Sequence, residues 1–109
     1  MCKEMVETGA LVYPIVENSM APPGWPDRLI VLKGLMLLVE FKGLHTAVRP
    51  AQEVVFKQIA QRYPVFIARY PCYLTLHNGE FIGKFKSGVE LCELLRGACN
   101  ELLHNMERL

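Results

Sequence analysis

The stretch Gly24-Trp25-Pro26-Asp27-Arg28-Leu29-Ile30-Val31-Leu32-Lys33-Gly34-Leu35-Met36-Leu37-Leu38-Val39-Glu40-Phe41-Lys42-Gly43 decides how the rest of the chain is read. Two apolar runs, Asp27 to Leu32 and Leu35 to Lys42, flank the two-residue connection Lys33-Gly34. They read as the strands of a hairpin. Their near-continuous apolar character predicts central strands buried on both faces. Hairpin strands are antiparallel, so Asp27 at the start of one and Glu40 near the end of the other share one open end. Side chains across such a pair come within about 5 Å. Two carboxylates that close repel each other unless a cation lies between them, and oxygen ligands suit a magnesium-type ion.

Side chains alternate along a strand, so Lys42 shares the face of Glu40 and Phe41 points the other way. The Phe41 carbonyl adds a third oxygen. A lysine beside such an ion can hold an attacking water or offset charge on a phosphate. Taken singly, a Pro-Asp or an E-x-K carries little. The competing reading is a partly solvated strand end with an ordinary Glu40–Lys42 ion pair.

Working outward, residues 2 to 8 read as a short helix ended by Gly9, and Ala10 to Val16 as a strand in which Pro14 suits an edge or a bulge. Asn18 to Pro26 holds three prolines and a glycine and reads as a loop. Downstream, Gly43 to Arg49 is a loop, and Pro50 opens a helix that runs to about Tyr63 before Pro64 stops it. Val65 to Tyr70 is an apolar strand. Tyr73 to His77 and Glu80 to Phe85 flank the turn pair Asn78-Gly79. Ser87-Gly88-Val89-Glu90 is a capping box, followed by a helix with Leu91, Leu95, Cys99, Leu102 and Met106 on its apolar stripe. The predicted class is mixed α/β (α+β): helix, three strands, helix, strand, then an added hairpin and helix.

The chain has 109 residues, 51% of them hydrophobic, enough for one domain over 1–109 with its own core. Twelve basic and eleven acidic residues give a net charge of +1, so any phosphate-binding surface has to be local. No apolar run reaches the eighteen or so residues of a membrane helix, and the first residues do not read as a secretion signal. Cys2, Cys72, Cys92 and Cys99 form no CxxC pair and read as reduced, apolar cysteines of a cytoplasmic protein.

On the helix from Pro50, Gln52 shares a face with Val55, Phe56 and Ile59. A buried amide needs a partner; it either reaches the acidic site or caps local backbone.

Gly24-Trp25-Pro26-Asp27-Arg28, then Val39-Glu40-Phe41-Lys42-Gly43, then Gln52, resemble the G-x-P-D, E-x-K and Q motifs of the VRR-NUC family. These are the virus-type replication-repair nucleases of the PD-(D/E)XK superfamily. The resemblance covers roughly residues 9 to 70, and residues 72 to 109 fall outside it. It implies a restriction-endonuclease-like core over about 1–70, carrying the C-terminal hairpin and helix. It further implies a structure-selective DNA endonuclease using Mg2+ or Mn2+ on branched substrates such as four-way junctions. Short members of the family are typical of phages, which would place the protein in the host cytoplasm, and are often homodimers. By the same resemblance Asp27 and Glu40 are metal ligands, Lys42 positions the water or stabilises charge, and Gln52 supports the site. The family's additional acid on the first helix has no counterpart; Glu4 and Glu7 are the available substitutes.

Trp25 either stacks on a base or packs against the fold. His45 either touches DNA or is solvated. Arg28, Arg49, Lys57 and Arg69 are candidates for a phosphate-binding rim, each otherwise a surface charge. His77 and His104 give no signal. A homodimer is expected, with the hairpin of residues 72–85 or the last helix in the interface. Two rivals compete with the nuclease: a non-cleaving module that binds branched DNA, and an assembly protein whose acids merely decorate a strand.

Overall fold

The computed structural model describes residues 2–15, 24–32 and 34–107. The expected Asn18–Pro26 loop and the Lys33-Gly34 connection therefore lie partly outside the described residues, as does the side chain of Met106. The elements are α1 (Cys2–Glu7), β1 (Leu11–Pro14), β2 (Arg28–Leu32), β3 (Leu35–Gly43), α2 (Pro50–Ala60), β4 (Val65–Tyr70), β5 (Tyr73–Leu76), β6 (Phe81–Lys84) and α3 (Gly88–Glu107). Their order is the one the hydrophobic pattern predicts. The six strands form one sheet in sequence order. All neighbours are antiparallel except β3 and β4, which are parallel and joined through α2.

Strand alternation divides the sheet into two faces. Ile30, Leu32, Leu37, Val39, Phe66, Ala68 and Leu74 are buried on one face with Met5 of α1 and Leu91, Leu95 and Cys99 of α3. Phe56 of α2 closes over Val65 and Ile67 on the other. β4 therefore carries apolar residues at every position from Val65 to Ala68, as a strand buried on both sides must. β1 is an edge strand, and its last residue, Pro14, pairs with Arg28, the position a residue without an N–H tolerates.

Two-sided burial does not extend to β2. Leu29 and Val31 are only half-buried, because α2 lies against β4 and makes no comparable packing on β2. Beside them, Leu11, Tyr13 and Met36 are exposed. An apolar groove of about 720 Å³, lined in part by Leu29, Val31, Leu38, Tyr63 and Leu103, runs along this uncovered part of the sheet.

Element ends differ from expectation by a few residues. α2 stops at Ala60 rather than Tyr63, because the Arg62 N–H turns back three residues to the Ile59 carbonyl instead of four to Gln58. The connection at Asn78-Gly79 spans residues 77–80, closed by the Leu76 N–H on the Glu80 carbonyl and by the Glu80 N–H on Asn78 Oδ1. At α3 the Glu90 N–H donates to Ser87 Oγ at 3.2 Å, as a capping box requires. Glu90 Oε2, however, accepts from Lys86 rather than from Ser87. Among the described residues no helix is long and apolar enough to cross a membrane.

Candidate active site

The β2–β3 register pairs Arg28 with Val39, so Asp27 falls opposite Glu40 one step beyond the ladder. The two residues are locked reciprocally. The Asp27 N–H donates to Glu40 Oε1 at 3.0 Å, and the Phe41 N–H donates to Asp27 Oδ1 at 3.2 Å. Each carboxylate thus holds the other residue's strand.

Glu40 and Lys42 point to the α2 side of the sheet, as alternation predicts. Both side chains are 7% exposed, with Lys42 Nζ 3.3 Å from Glu40 Oε2. Gln52, 2% exposed, resolves the choice left open by its position on α2, because it makes both contacts. Its Nε2 donates to Glu40 Oε2 at 2.9 Å, and its Oε1 accepts the Arg49 N–H at 3.1 Å. Pro50 at the start of α2 and the amide of Gln52 one turn in place this side chain directly over β3.

Glu40 therefore receives three donors: a backbone N–H, an amide and an ammonium. Asp27 is less buried and poorer in donors. Burial, and then the charge of Glu40, push its carboxyl above the ordinary value of 3.8; the Phe41 N–H, Arg28 and Lys42 oppose them. Asp27, Glu40 and the adjoining Phe41 carbonyl offer oxygen donors of the kind a hard cation takes, while Lys42 and Arg28 offset the two carboxylate charges. The ligand set is small. Among the described residues no three or more His, Cys, Asp or Glu side chains come together as a metal-holding group. Glu4 does not complete it: its Oε2 accepts the Gly88 N–H at 2.9 Å at the start of α3.

The loop ahead of Asp27 is fastened to α2. Gly24 has φ +99°, and a Cβ built there would lie 2.7 Å from the Ala51 carbonyl oxygen and 3.0 Å from Val55 Cγ2. Only glycine accepts both that backbone angle and that approach. Pro26 is fully buried, and Trp25 between them is exposed. Asp27 is thus held from two directions, by β3 through its carboxylate and by α2 through Gly24. No pattern in the sequence reveals the second.

The basic candidates separate. Arg28 turns back on its neighbour, donating to the Asp27 carbonyl at 2.9 Å, with Nη1 4.0 Å from Asp27 Oδ2. Arg69 lies beside Lys42 on the adjacent strand and donates to the carbonyls of Gly43 and Thr46, so it fixes the loop between β3 and α2. Arg49 and His45 are exposed on that loop. Lys57 does not join them. It shares a pocket with Glu53 and His77, and His77 is bonded to Val65 at the opposite end of β4 from Arg69. Burial and then Lys57 lower the His77 pKa. No family model, curated protein or solved structure matches this chain.

Proposed function

We propose that the chain is a Mg2+- or Mn2+-dependent DNA endonuclease of the PD-(D/E)XK type, acting on branched intermediates such as four-way junctions. The observation that carries this reading is the buried constellation itself: Asp27 and Glu40 locked across one hairpin end, with Lys42 on the face of Glu40 and Gln52 over it. A buried carboxylate beside a second one whose pKa is raised by burial and by its neighbour's charge is an arrangement that gathers at functional sites.

Asp27, Glu40 and the Phe41 carbonyl are the residues that would hold the ion, which supplies charge for the phosphoryl transition state and acidifies a bound water. The chain's own residues do the rest. Gln52 and the Asp27 N–H fix the Glu40 carboxylate. Lys42 presents a desolvated ammonium beside it, placed to orient the attacking water and to offset charge on the scissile phosphate. Arg49 and His45, exposed on the loop that Arg69 holds, are the proposed contacts to the DNA backbone.

The test is cleavage of labelled single-stranded, flapped and four-way DNA in magnesium, manganese and chelator. Cutting is expected with either metal and none with chelator. Asp27→Asn is the informative variant, since Asn keeps the Oδ1 acceptor for the Phe41 N–H while removing the charge and replacing Oδ2 with an NH2 group. It is expected to abolish cutting while raising the melting temperature of the metal-free protein. The sign follows from the raised folded-state pKa. Ionised Asp27 disfavours the fold above that pKa, and protonation relieves the penalty as pH falls through it. The gap in melting temperature between the variant and wild type should therefore close on acidification. Cutting by Asp27→Asn at the wild-type rate would reject the site.

A second copy of the chain is the proposed partner. The exposed apolar residues Leu11 and Tyr13 of β1, with Met36 of the groove, suit a two-fold interface better than the expected hairpin or last helix, which contribute Phe81 and Val89. A monomer mass by light scattering at micromolar concentration rejects this.

A further inference from the structure

We infer that Trp25 is a stacking platform for an unpaired base, so that the site selects DNA carrying single-stranded or unstacked nucleotides. This rests on the nuclease reading above and adds the feature of the substrate that is recognised.

Trp25 is the one tryptophan of the chain and is 38% exposed. Indole offers the broadest flat π-face of any side chain, suited to offset stacking. Its mounting is rigid. Gly24 on one side is pressed against the Ala51 carbonyl and Val55 of α2, and Pro26 on the other is fully buried. Proline fixes one backbone torsion. A platform anchored at both flanks loses little freedom when a ligand settles on it, which is where preorganised sites gain affinity.

The location matters as much. Trp25 stands two residues before Asp27, a span of at most about 7 Å of extended chain. A base lying on the indole therefore belongs to a nucleotide within a few positions of the phosphodiester held at Asp27. In a duplex every base face is covered by its neighbours. The indole can meet one only where the strand is unpaired or the stack is broken, as at flaps, ends and branch points. Stacking is tolerant of base identity, since every base has a π-face. The recognition is thus for structure and not for sequence.

Because Trp25 is the only tryptophan, its fluorescence reports contact directly. The full-length protein, in calcium, is titrated with a short oligothymidylate and with a blunt duplex at matched phosphate concentration. Oligothymidylate is expected to quench the fluorescence and the duplex to leave it largely unchanged. Trp25→Leu, which keeps apolar bulk without the ring stack, should bind oligothymidylate about tenfold more weakly or worse, and Trp25→Phe should stay within about threefold of wild type. Duplex affinity should move in neither. Absence of quenching overturns the inference, as does full affinity in Trp25→Leu or an equal loss on both ligands. If Trp25→Leu does not fold, wild-type quenching and Trp25→Phe still decide. Metal-dependent cleavage is read separately. Quenching with the Leu-specific loss but no cleavage sinks the nuclease reading and leaves the platform standing, whereas cleavage without quenching does the reverse.

Discussion

Lys42→Ala is expected to lose cleavage by about a hundred- to a thousandfold while binding DNA almost as tightly as wild type. The expectation comes from where the ammonium sits. Only 7% of the side chain is exposed, and Nζ is 3.3 Å from Glu40 Oε2. A charge that deep cannot serve as a rim contact to the DNA backbone, so ground-state affinity should barely register its loss. The group can matter only to atoms that enter the buried end of the hairpin, and there its work is done in the transition state. The measurement is paired: affinity for a four-way junction in calcium, then the rate of cutting in magnesium. If affinity falls in proportion to rate, Lys42 is a phosphate contact and the role assigned to it is wrong. If the variant cuts at the wild-type rate, the site lies elsewhere. Lys42→Met, which retains the apolar stem, separates the charge from the packing of a long side chain.

The meeting of Asp27 with Glu40 was legible because it follows from local rules. A hairpin fixes register, and register fixes which residues face each other across the open end. The shared face of Glu40 and Lys42 needs only the period of a strand. Gln52 was legible in part, as an amide on an apolar helical stripe that must find a partner; that it bonds Glu40 and Arg49 at once depends on how α2 is docked. What could not be read belongs to contacts between distant elements. Gly24 carries no mark that it lies on Ala51 and Val55. Glu4 looks like a spare acid on the first helix, and only the approach of α1 to α3 turns it into a cap for Gly88. Arg69 and Lys57 look alike as surface cations, yet the parallel pairing of β3 with β4 puts Arg69 beside Lys42, and the reversed course of β5 puts His77, with Lys57, at the far end. The burial of β2 is smaller than its composition implies for a related reason. Apolar composition reports what a strand can bury, and not which helix arrives to cover it.

Glu40→Ala is the change expected to harm the fold most, by about 3–5 kcal/mol, because it removes one partner of a buried pair and leaves the other charge uncompensated. The single carboxylate accepts from the Asp27 N–H, Gln52 Nε2 and Lys42 Nζ. Its loss leaves a largely buried ammonium and amide without their acceptor, and frees the end of β2 that carries Asp27. Chemical denaturation measures the loss, and an unfolding midpoint equal to wild type would show that Glu40 does not bear these bonds. A buried pair replaced at both ends by apolar groups of similar volume is often neutral or stabilising. Glu40→Leu combined with Lys42→Met should therefore recover most of the stability that Glu40→Ala gives up, with Gln52 Nε2 and the Asp27 N–H left without their acceptor. The recovered protein should not cut DNA. That divergence separates a functional constellation from a structural ion pair. If charge at Glu40 and Lys42 served the fold alone, the apolar replacements would lose nothing, whereas here they are expected to regain stability and remain inert.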